Sequence, residues 1–575
     1  MLQKPVLVIS CDVTSRSVTK CVADQRVRRA TQGQRQRDAM QAAPPTAAAL
    51  LAALNVVWLA SGAGIRLEGG QPCAVRWYNY SSFVCVCNAT YCDAPPPRPA
   101  LPAGRIAHYT SSRCGQRLAL RLRSFTDPTE LQSGVVHLRV DTSHQFQQML
   151  GFGGAMTDST AINIRELSSA TQQHLLRSYF GSSDGSSQYS LVRLPMGATD
   201  FSTRGYTYDD SEEPDPSLKN FTLQPEDIEY KIPLLLWAQS LSDERLKIHA
   251  APWTAPYWMK ASNGTTGISW LQPRYYQAWA NYFVKFLKEY RRRGVDVWAV
   301  SLQNEPTSGA VVNYGVNSMG WSAQGLRRFL EGFLGPTLRR DASVASTDII
   351  IGEDTRAYLD WTRQILNGAP ARRLTSGVAV HWYQDSTTGP AVLDDLHRSH
   401  SDLFILYTEA CYGPFFGSGY PTVRLGSWER AENYTSDIIQ VTNHWTSGWE
   451  DWNMVVNTEG GPNWSSNPAD ASIVANATAD EFYKQPMYYA IAHFSRFVPR
   501  GSRRVKLQMD ADANSTDVES VAFLTPQDDV VVVLQNKQGT RRSVVVSDPQ
   551  LGEASLSLPA HSMHTLVYRP AGNTV

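Results

Sequence analysis

The chain has 575 residues, of which 42% are hydrophobic and only 18% charged, a balance that excludes intrinsic disorder and calls for a large packed core. Lys plus Arg equals Asp plus Glu at 53 each, so the basic excess of a protein that holds nucleic acid through its phosphates is absent. Sixteen Trp and 25 Tyr form a heavy aromatic load, suited to stacking on flat apolar faces such as sugar rings.

The first segment reads as a leader. Arg26, Arg28, Arg29, Arg35 and Arg37 precede an apolar run at 47–60 (AAALLAALNVVWLA), which ends in Ser61-Gly62-Ala63-Gly64. Basic, apolar, then small is the order of a secretory signal peptide, and the run is short for a bilayer span. Residues 1–64 are therefore expected to be leader and signal peptide, with Met40 a second candidate start. Removing their eight Lys/Arg and three Asp/Glu leaves 45 basic and 50 acidic groups, a mildly acidic remainder.

Cys73, Cys85, Cys87 and Cys92 crowd together, while Cys114 and Cys411 stand apart. In an oxidising compartment the cluster reads as two local disulfides, with the pairing left open by spacing alone. Zinc is the rival reading, disfavoured because no His lies among the four. Sequons begin at Asn79, Asn88, Asn220, Asn263, Asn433, Asn463, Asn476 and Asn514, and fit passage through the secretory pathway.

After a Pro-rich stretch at 94–102, alternating segments at 118–123 and 135–141 predict antiparallel strands. From 149 the pattern changes to short apolar runs separated by helical stretches. Strand ends are expected at 151–155, 191–195, 247–252, 297–302, 348–352, 377–382, 403–408 and 449–453, which makes a (β/α)₈ barrel. In the helix predicted over 273–293, Tyr276, Trp279, Phe283, Phe286, Leu287 and Tyr290 recur at three-to-four spacing. Pro273 opens it, Arg291 to Arg293 favour its C-terminal dipole, and Gly294 ends it. Beyond 502, strands at 518–524, 530–535, 543–546 and 564–568 form an all-β module with those before 149. The expected organisation is a small disulfide-containing β module at 65–97, a β-sandwich from 98–146 plus 502–575, and the barrel at 147–501.

Barrel chemistry sits where strands end. Glu305, in Asn304-Glu305-Pro306, follows the fourth strand, and Glu409 follows the seventh. Two opposed carboxylates can flank a glycosidic bond, one protonating the leaving oxygen and the other attacking the anomeric carbon or activating water. Either Glu alone reads better as a salt-bridged strand cap; Asn304 tilts the balance, because its amide can bond a sugar hydroxyl. Trp253, Trp258, Trp382, Trp449 and Trp452 recur at other strand ends and predict a stacking rim. Asp200 is a candidate acceptor of sugar hydroxyls, and His381 a candidate for orienting a carboxylate or tyrosine. Gly151-Phe152-Gly153-Gly154 lacks the third glycine of a dinucleotide fingerprint, and no HExxH, P-loop or GxSxG occurs, so metal, phosphate and cofactor chemistry have no support. A thiol such as Cys411, directly after an apolar strand, reads as inert and buried.

These strand ends carry a resemblance. The runs GFGGAMTD, VRLPMGATDFS, APWTAPYWMK, WAVSLQNEP, VHWYQD, YTEAC, VRLGSWER, GWEDWN, NTEGGPNW and EFYKQPMYY are similar, in this order, to the glucosylceramidase branch of glycoside hydrolase family 30. The resemblance covers nearly everything after residue 72. It implies a retaining (β/α)₈ hydrolase with a β-sandwich and a small N-terminal disulfide-containing sheet. It also implies Glu305 as acid/base, Glu409 as nucleophile, and glucose contacts on Asp200, Trp253, Asn304, Trp452 and Asn467. His381 and Tyr383 of VHWYQD join that substrate-binding set. Bridges Cys73–Cys85 and Cys87–Cys92 follow from it, with Cys114 and Cys411 free.

The implied reaction is hydrolysis of glucosylceramide in membranes to glucose and ceramide, in an acidic lysosomal lumen, without a cofactor. The implied partners are anionic phospholipid, a saposin-type activator and a lysosomal membrane receptor. At lumenal pH the twelve His are expected to begin charging, which aids contact with anionic lipid. Three departures stand out. Gln303 replaces the branch's Glu two residues before the acid/base, which moves the expected pH optimum acidward. Thr199 replaces a cysteine before Asp200, and the 309–320 loop (GAVVNYGVNSMG) lacks the branch's Phe and Cys. The rival readings are a family relative acting on a β-xyloside or β-1,6-glucan, and a catalytically inactive glycolipid-binding carrier.

Overall fold

The computed structural model describes residues 70–570 except 128, 130, 132–133, 183–184, 312–313, 414–420 and 511–516. The leader and signal peptide at 1–64 and the sequon at Asn514 lie outside the described residues.

Eight parallel strands close a barrel: β1 (Gly151–Ala155), β2 (Leu191–Met196), β3 (Lys247–Pro252), β4 (Ala299–Ser301), β5 (Asp348–Thr355), β6 (Gly377–His381), β7 (Phe404–Glu409) and β8 (Thr446–Asn453). They pair in sequence order, and β8 returns to β1 through pairs such as Trp449 with Phe152. Both strand faces are covered, inside by barrel-filling side chains and outside by helices, so these segments read as apolar runs and not as alternation. Glycines make the contacts of β1 with both its neighbours, β2 and β8, tight. A Cβ at Gly153 would stand 2.0 Å from the Leu191 carbonyl oxygen, and one at Gly448 would stand 2.4 Å from that of Gly151. The GFGG run thus serves close backbone approach.

The helix between β3 and β4 runs Tyr276–Arg292 behind a 3₁₀ turn at Pro273–Tyr275. All six apolar residues of its predicted stripe are buried. Gly294 leaves it with φ of +88°, a conformation glycine adopts at little cost.

The second body is one continuous curled sheet of nine strands. Their order across the sheet is Gly552–Leu558, Arg542–Asp548, Val136–Gln148, Arg503–Met509, Val518–Leu524, Val530–Asn536, Ser562–Tyr568, Arg105–Ser112 and Ala119–Ser124. It folds over a core that includes Leu138, Val140, Val532, Val544 and Leu566. The segment expected at 135–141 continues to Gln148, because its second half pairs with Arg503–Val505 through two bulges. Strands Arg105–Ser112, Arg503–Met509 and Gly552–Leu558 were not anticipated, although the last buries Ala554, Leu556 and Leu558 in strict alternation.

The small sheet joins Val75–Trp77 and Phe83–Asn88 to Glu481–Lys484, Ile473–Asn476 and Val455–Asn457. Three of its strands therefore come from the stretch after β8. Disulfides Cys73–Cys85 and Cys87–Cys92 staple its N-terminal part. Cys114 is disulfide-bonded, which corrects the expectation that it is free. Among the described residues Cys411 is the free thiol.

No described helix is long and apolar enough to cross a membrane. Asn79, Asn220, Asn263 and Asn433 are exposed, and Asn88 and Asn476 half-buried. The Asn433 amide donates to the Tyr412 hydroxyl at 2.7 Å. The expectation that all twelve His charge together needs correction. His108, His493 and His564 are fully buried where the nine-stranded sheet meets the helix Pro486–Ser495. Burial drives His108 and His493 down to about 3 and His564 well below its usual value, so all three stay neutral at acidic pH.

Candidate active site

Bulges at the C-terminal strand ends shape the site. In β5 the register with β6 slips between Gly352 and Asp354, so Glu353 is the extra residue. In β7 it slips at Thr408, just before Glu409, and in β8 at Trp452. Each slip re-aims a side chain that strict alternation would send elsewhere. Beyond β4, the Asn304 N–H donates to the Pro252 carbonyl at 2.9 Å and the Glu305 N–H to the Glu353 carbonyl at 2.7 Å.

Glu305 and Glu409 face one another across a cavity of about 1050 Å³, with carboxylate oxygens within 4.8 Å. Asp200, Trp253, Asn304, Tyr383, Trp452 and Asn467 also line it. Glu409 accepts from the Tyr383 hydroxyl at 2.6 Å and from the Arg193 guanidinium. Arg193 is fully buried and also bonds Glu353 Oε2 at 2.7 Å and Asn304 Oδ1 at 2.6 Å. With its oxygen engaged, Asn304 has its amide N–H groups left for a ligand hydroxyl. Trp253 and Trp452 stack at 5.2 Å, and both cover the guanidinium.

His381 lies between two carboxylates, 3.2 Å from Glu305 Oε1 through Nδ1 and 3.1 Å from Glu353 Oε2 through Nε2. Burial alone would lower its pKa, but Glu409, Glu305 and Glu353 together raise it to about 10. The ring is therefore an imidazolium that donates both N–H groups. Burial also opposes ionisation of Glu353, yet Arg193, His381 and His249 hold it below the usual carboxylate range. Glu353 accepts further from Ser301 at 2.5 Å and Thr408 at 3.2 Å.

Asp200 accepts from the Asn467 amide at 2.8 Å. Burial and then the Glu409 charge push it up to about 7, so near neutrality it is divided between acid and carboxylate. Thr199 caps this turn, accepting the Phe201 N–H at 2.9 Å. The Gln303 amide is buried and donates to the carbonyls of Trp253 at 2.7 Å and of Asn304 at 3.0 Å.

The expected aromatic rim is only partly a rim. Trp253 and Trp452 are 4% and 2% exposed and form the floor, while Tyr383 is 40% exposed at the mouth. Trp258 and Trp449 belong to the core, their indole N–H groups bonded to the Asp209 carbonyl and the Asp437 carboxylate. Arg193, Glu353 and Tyr314 were missed. Tyr314 places its hydroxyl 3.4 Å from Glu305 Oε2. For Arg193 and Glu353 a signal existed: each is a charge inside a run that reads as a buried strand, and such a charge needs a partner.

Glu305, His381 and Glu409 are spaced closely enough to ligate a cation. Their chemistry runs against it: His381 is held as an imidazolium, and Arg193 already occupies Glu409. The sulfurs of Cys87 and Cys92, beside Asp93, are consumed by their disulfide. Cys411, expected to be buried, is half-buried on the cavity wall with its sulfur 3.4 Å from the Tyr383 hydroxyl, and desolvation raises it well above an ordinary thiol.

Residues 149–498 match the glycosyl hydrolase family 30 TIM-barrel domain, and 501–566 the glycosyl hydrolase family 30 beta sandwich domain. The chain is 39% identical over 507 residues to lysosomal acid glucosylceramidase of Mus musculus, covering 87% of this chain and 96% of that one. Among solved structures it is similar to SrfJ from Salmonella typhimurium, with TM-score 0.72 and 29% identity over 81% of this chain and 99% of that one. It is also similar to the endo-β1,6-glucanase BT3312, with TM-score 0.70 and 26% identity over 81% of this chain and all of that one.

Proposed function

The chain belongs to glycoside hydrolase family 30, and from that premise we propose that it is a retaining β-glucosidase that cleaves glucosylceramide to glucose and ceramide at acidic pH. The observation that carries the reading is the pair Glu305 and Glu409, whose carboxylate oxygens lie within 4.8 Å across the cavity. Such proximity suits a nucleophile and an acid acting on one sugar; inversion needs room for a water between carboxyl groups about 6.5–9.5 Å apart.

Glu409 attacks the anomeric carbon while Glu305 delivers its proton to the ceramide oxygen. The oxocarbenium-like charge collapses to a glucosyl ester on Glu409, and Glu305 then deprotonates the water that releases glucose. Arg193 and Tyr383 hold the Glu409 carboxylate in place. Asp200 and Asn467, with Trp253 and Trp452 beneath, supply the polar and flat surfaces a pyranose requires.

The lipid substrate places the work at a membrane. Ile268, Trp270 and Val311 are exposed apolar residues on two adjacent loops beside the mouth, and we assign them to docking on anionic phospholipid. The lysosomal lumen belongs to the same reading, supported by likeness to the mouse lysosomal enzyme; glycans at the exposed sequons, a saposin-type activator and a membrane receptor are proposed with it.

The test is glucose release from glucosylceramide in anionic vesicles at pH about 5, with the first-formed anomer followed by NMR. β-Glucose as first product supports the reading; α-glucose overturns retention. The likeness to an endo-β1,6-glucanase keeps one rival open. Release from β-1,6-glucan but not from glucosylceramide selects it, and hydrolysis of neither by folded protein selects a carrier.

A further inference from the structure

Lys260 follows the 3₁₀ turn Tyr257–Met259 beyond β3 and is 1% exposed. Its ammonium donates to Thr254 Oγ1 at 2.8 Å, to the Ser318 carbonyl at 2.7 Å and to the Thr265 carbonyl at 3.2 Å. These acceptors come from three segments: the end of β3, the 261–272 loop and the 308–320 loop. All three are neutral. Among the described residues no titratable or charged group acts on the ammonium from any of these segments, and burial alone lowers it to about 7.

The two loops are stitched together directly above it. Gly267 N–H donates to the Tyr314 carbonyl at 3.0 Å, Ser269 to Gly309 at 3.1 Å, Ser318 to Thr265 at 3.0 Å and Gly320 to Ser269 at 2.7 Å. The first loop carries Ile268 and Trp270, and the second carries Val311 and Tyr314. An ammonium has three donors and no acceptor, matching the three oxygens it meets. The free amine has two donors and a lone pair; the lone pair can accept only from the Thr254 hydroxyl, which already donates to the Ala255 carbonyl at 3.1 Å, so deprotonation leaves one bond unmade.

We propose that Lys260 is a positioning residue whose protonation fastens the two rim loops together and thereby holds the exposed Ile268, Trp270 and Val311 as one edge of the mouth. The amine then acts as a lock that is closed in acid and loosens towards alkaline pH. Its effect on turnover rests on the glycosidase reading above; its effect on the loops does not.

The experiment is amide hydrogen exchange on the full chain at pH 6 and pH 8.5, with rates referred to the core helix Tyr276–Arg292. In the wild type, protection at Gly267, Ser269, Ser318 and Gly320 should fall about tenfold relative to that helix between the two pH values. In Lys260→Met the same amides should be loose at both, with the helix unchanged. Equal protection at both pH values in the wild type overturns the proposal, as does a pH-dependent loosening that persists in Lys260→Met. If Lys260→Met fails to fold, the wild-type comparison still decides. A second readout is KM for glucosylceramide in vesicles, which should rise about fivefold at pH 5 in Lys260→Met, with kcat for a small aryl glucoside changed less than twofold. Equal loss on both substrates at pH 5 would mean damage to the catalytic pair and would also overturn it.

Discussion

Glu305 and Glu353 are tied through their backbones at the ends of adjacent strands: the Glu305 N–H donates to the Glu353 carbonyl at 2.7 Å, and both residues hold positive φ, 40° and 57°. Left-handed conformations cost a non-glycine residue on the order of 1–3 kcal/mol and persist only where the surroundings over-determine them. Here the surroundings are Arg193, His381, Ser301 and Thr408, which grip the Glu353 side chain. The same bulge that aims Glu353 inwards thus presents the carbonyl that holds Glu305 over the cavity.

Replacing either cavity glutamate by Gln should lower kcat/KM on glucosylceramide by about 10³-fold, with the fold intact by circular dichroism. The two variants should differ with leaving group. An aryl glucoside whose phenol leaves without a proton should recover most of the loss in Glu305→Gln and none in Glu409→Gln. Equal recovery, or near-wild-type turnover by Glu409→Gln, would remove the assigned roles.

Arg193→Met should be among the most destabilising single changes in the barrel. It leaves Glu353 and Glu409 with the His381 imidazolium as their one remaining cation partner among the described residues in contact with both, a loss of about 3–5 kcal/mol for a broken buried pair. Adding Glu353→Gln should restore part of the denaturation midpoint but not the activity, because Glu409 still lacks its partner. A double variant no more stable than Arg193→Met would show that the guanidinium matters for packing alone.

Gln303→Glu should destabilise this chain. The Gln303 amide donates to two carbonyls, and a carboxylate there would face both oxygens. A penalty of about 1–3 kcal/mol is expected at pH 7, less at pH 4 where the new carboxyl is protonated. Unfolding midpoints at the two pH values measure it; an equal or higher midpoint at pH 7 would refute the account.

Asp385 and Asp437 form a close carboxyl pair beside the cavity. Burial and then Asp437 push Asp385 up to about 9 despite the Arg356 guanidinium, and burial raises Asp437 as well. A carboxyl whose folded value exceeds its unfolded value of about 3.8 stabilises most below that value. The contribution fades as pH rises towards 9. The wild type should therefore lose stability between pH 5 and pH 8, on the order of 4 kcal/mol from this pair. Asp437→Asn should flatten that slope, and an unchanged slope in chemical denaturation would exclude the pair as its source.

Both glutamates, Asn304, Asp200 and the eight barrel strands could be read from residue order because their signals are local. An apolar run ends, and a carboxylate or amide follows it. The β8 segment is legible for the same reason, although its start at Thr446 lies three residues before the run at 449–453 suggested. The roles of Trp449 and Trp258 were not legible. A Trp at a strand end looks the same whether its ring faces sugar or core, and only the position of Asp437 and of the Asp209 carbonyl decides. Cys114 was misjudged because pairing depends on which backbone lies opposite, which spacing along the chain does not encode.

The sequence by itself determined the barrel, its partner sheet and the identity of the opposed carboxylates, since periodicity and strand-end chemistry are properties of neighbouring residues. Tertiary structure alone decided the charge states. Arg193, Glu353 and His381 lie on different strands, 28 to 188 residues apart, and meet only when the barrel closes. Inside it, burial and mutual field make an imidazolium of His381 and keep Glu353 ionised. Protonation in a buried cluster follows from distance and dielectric, and neither quantity exists until the chain has folded.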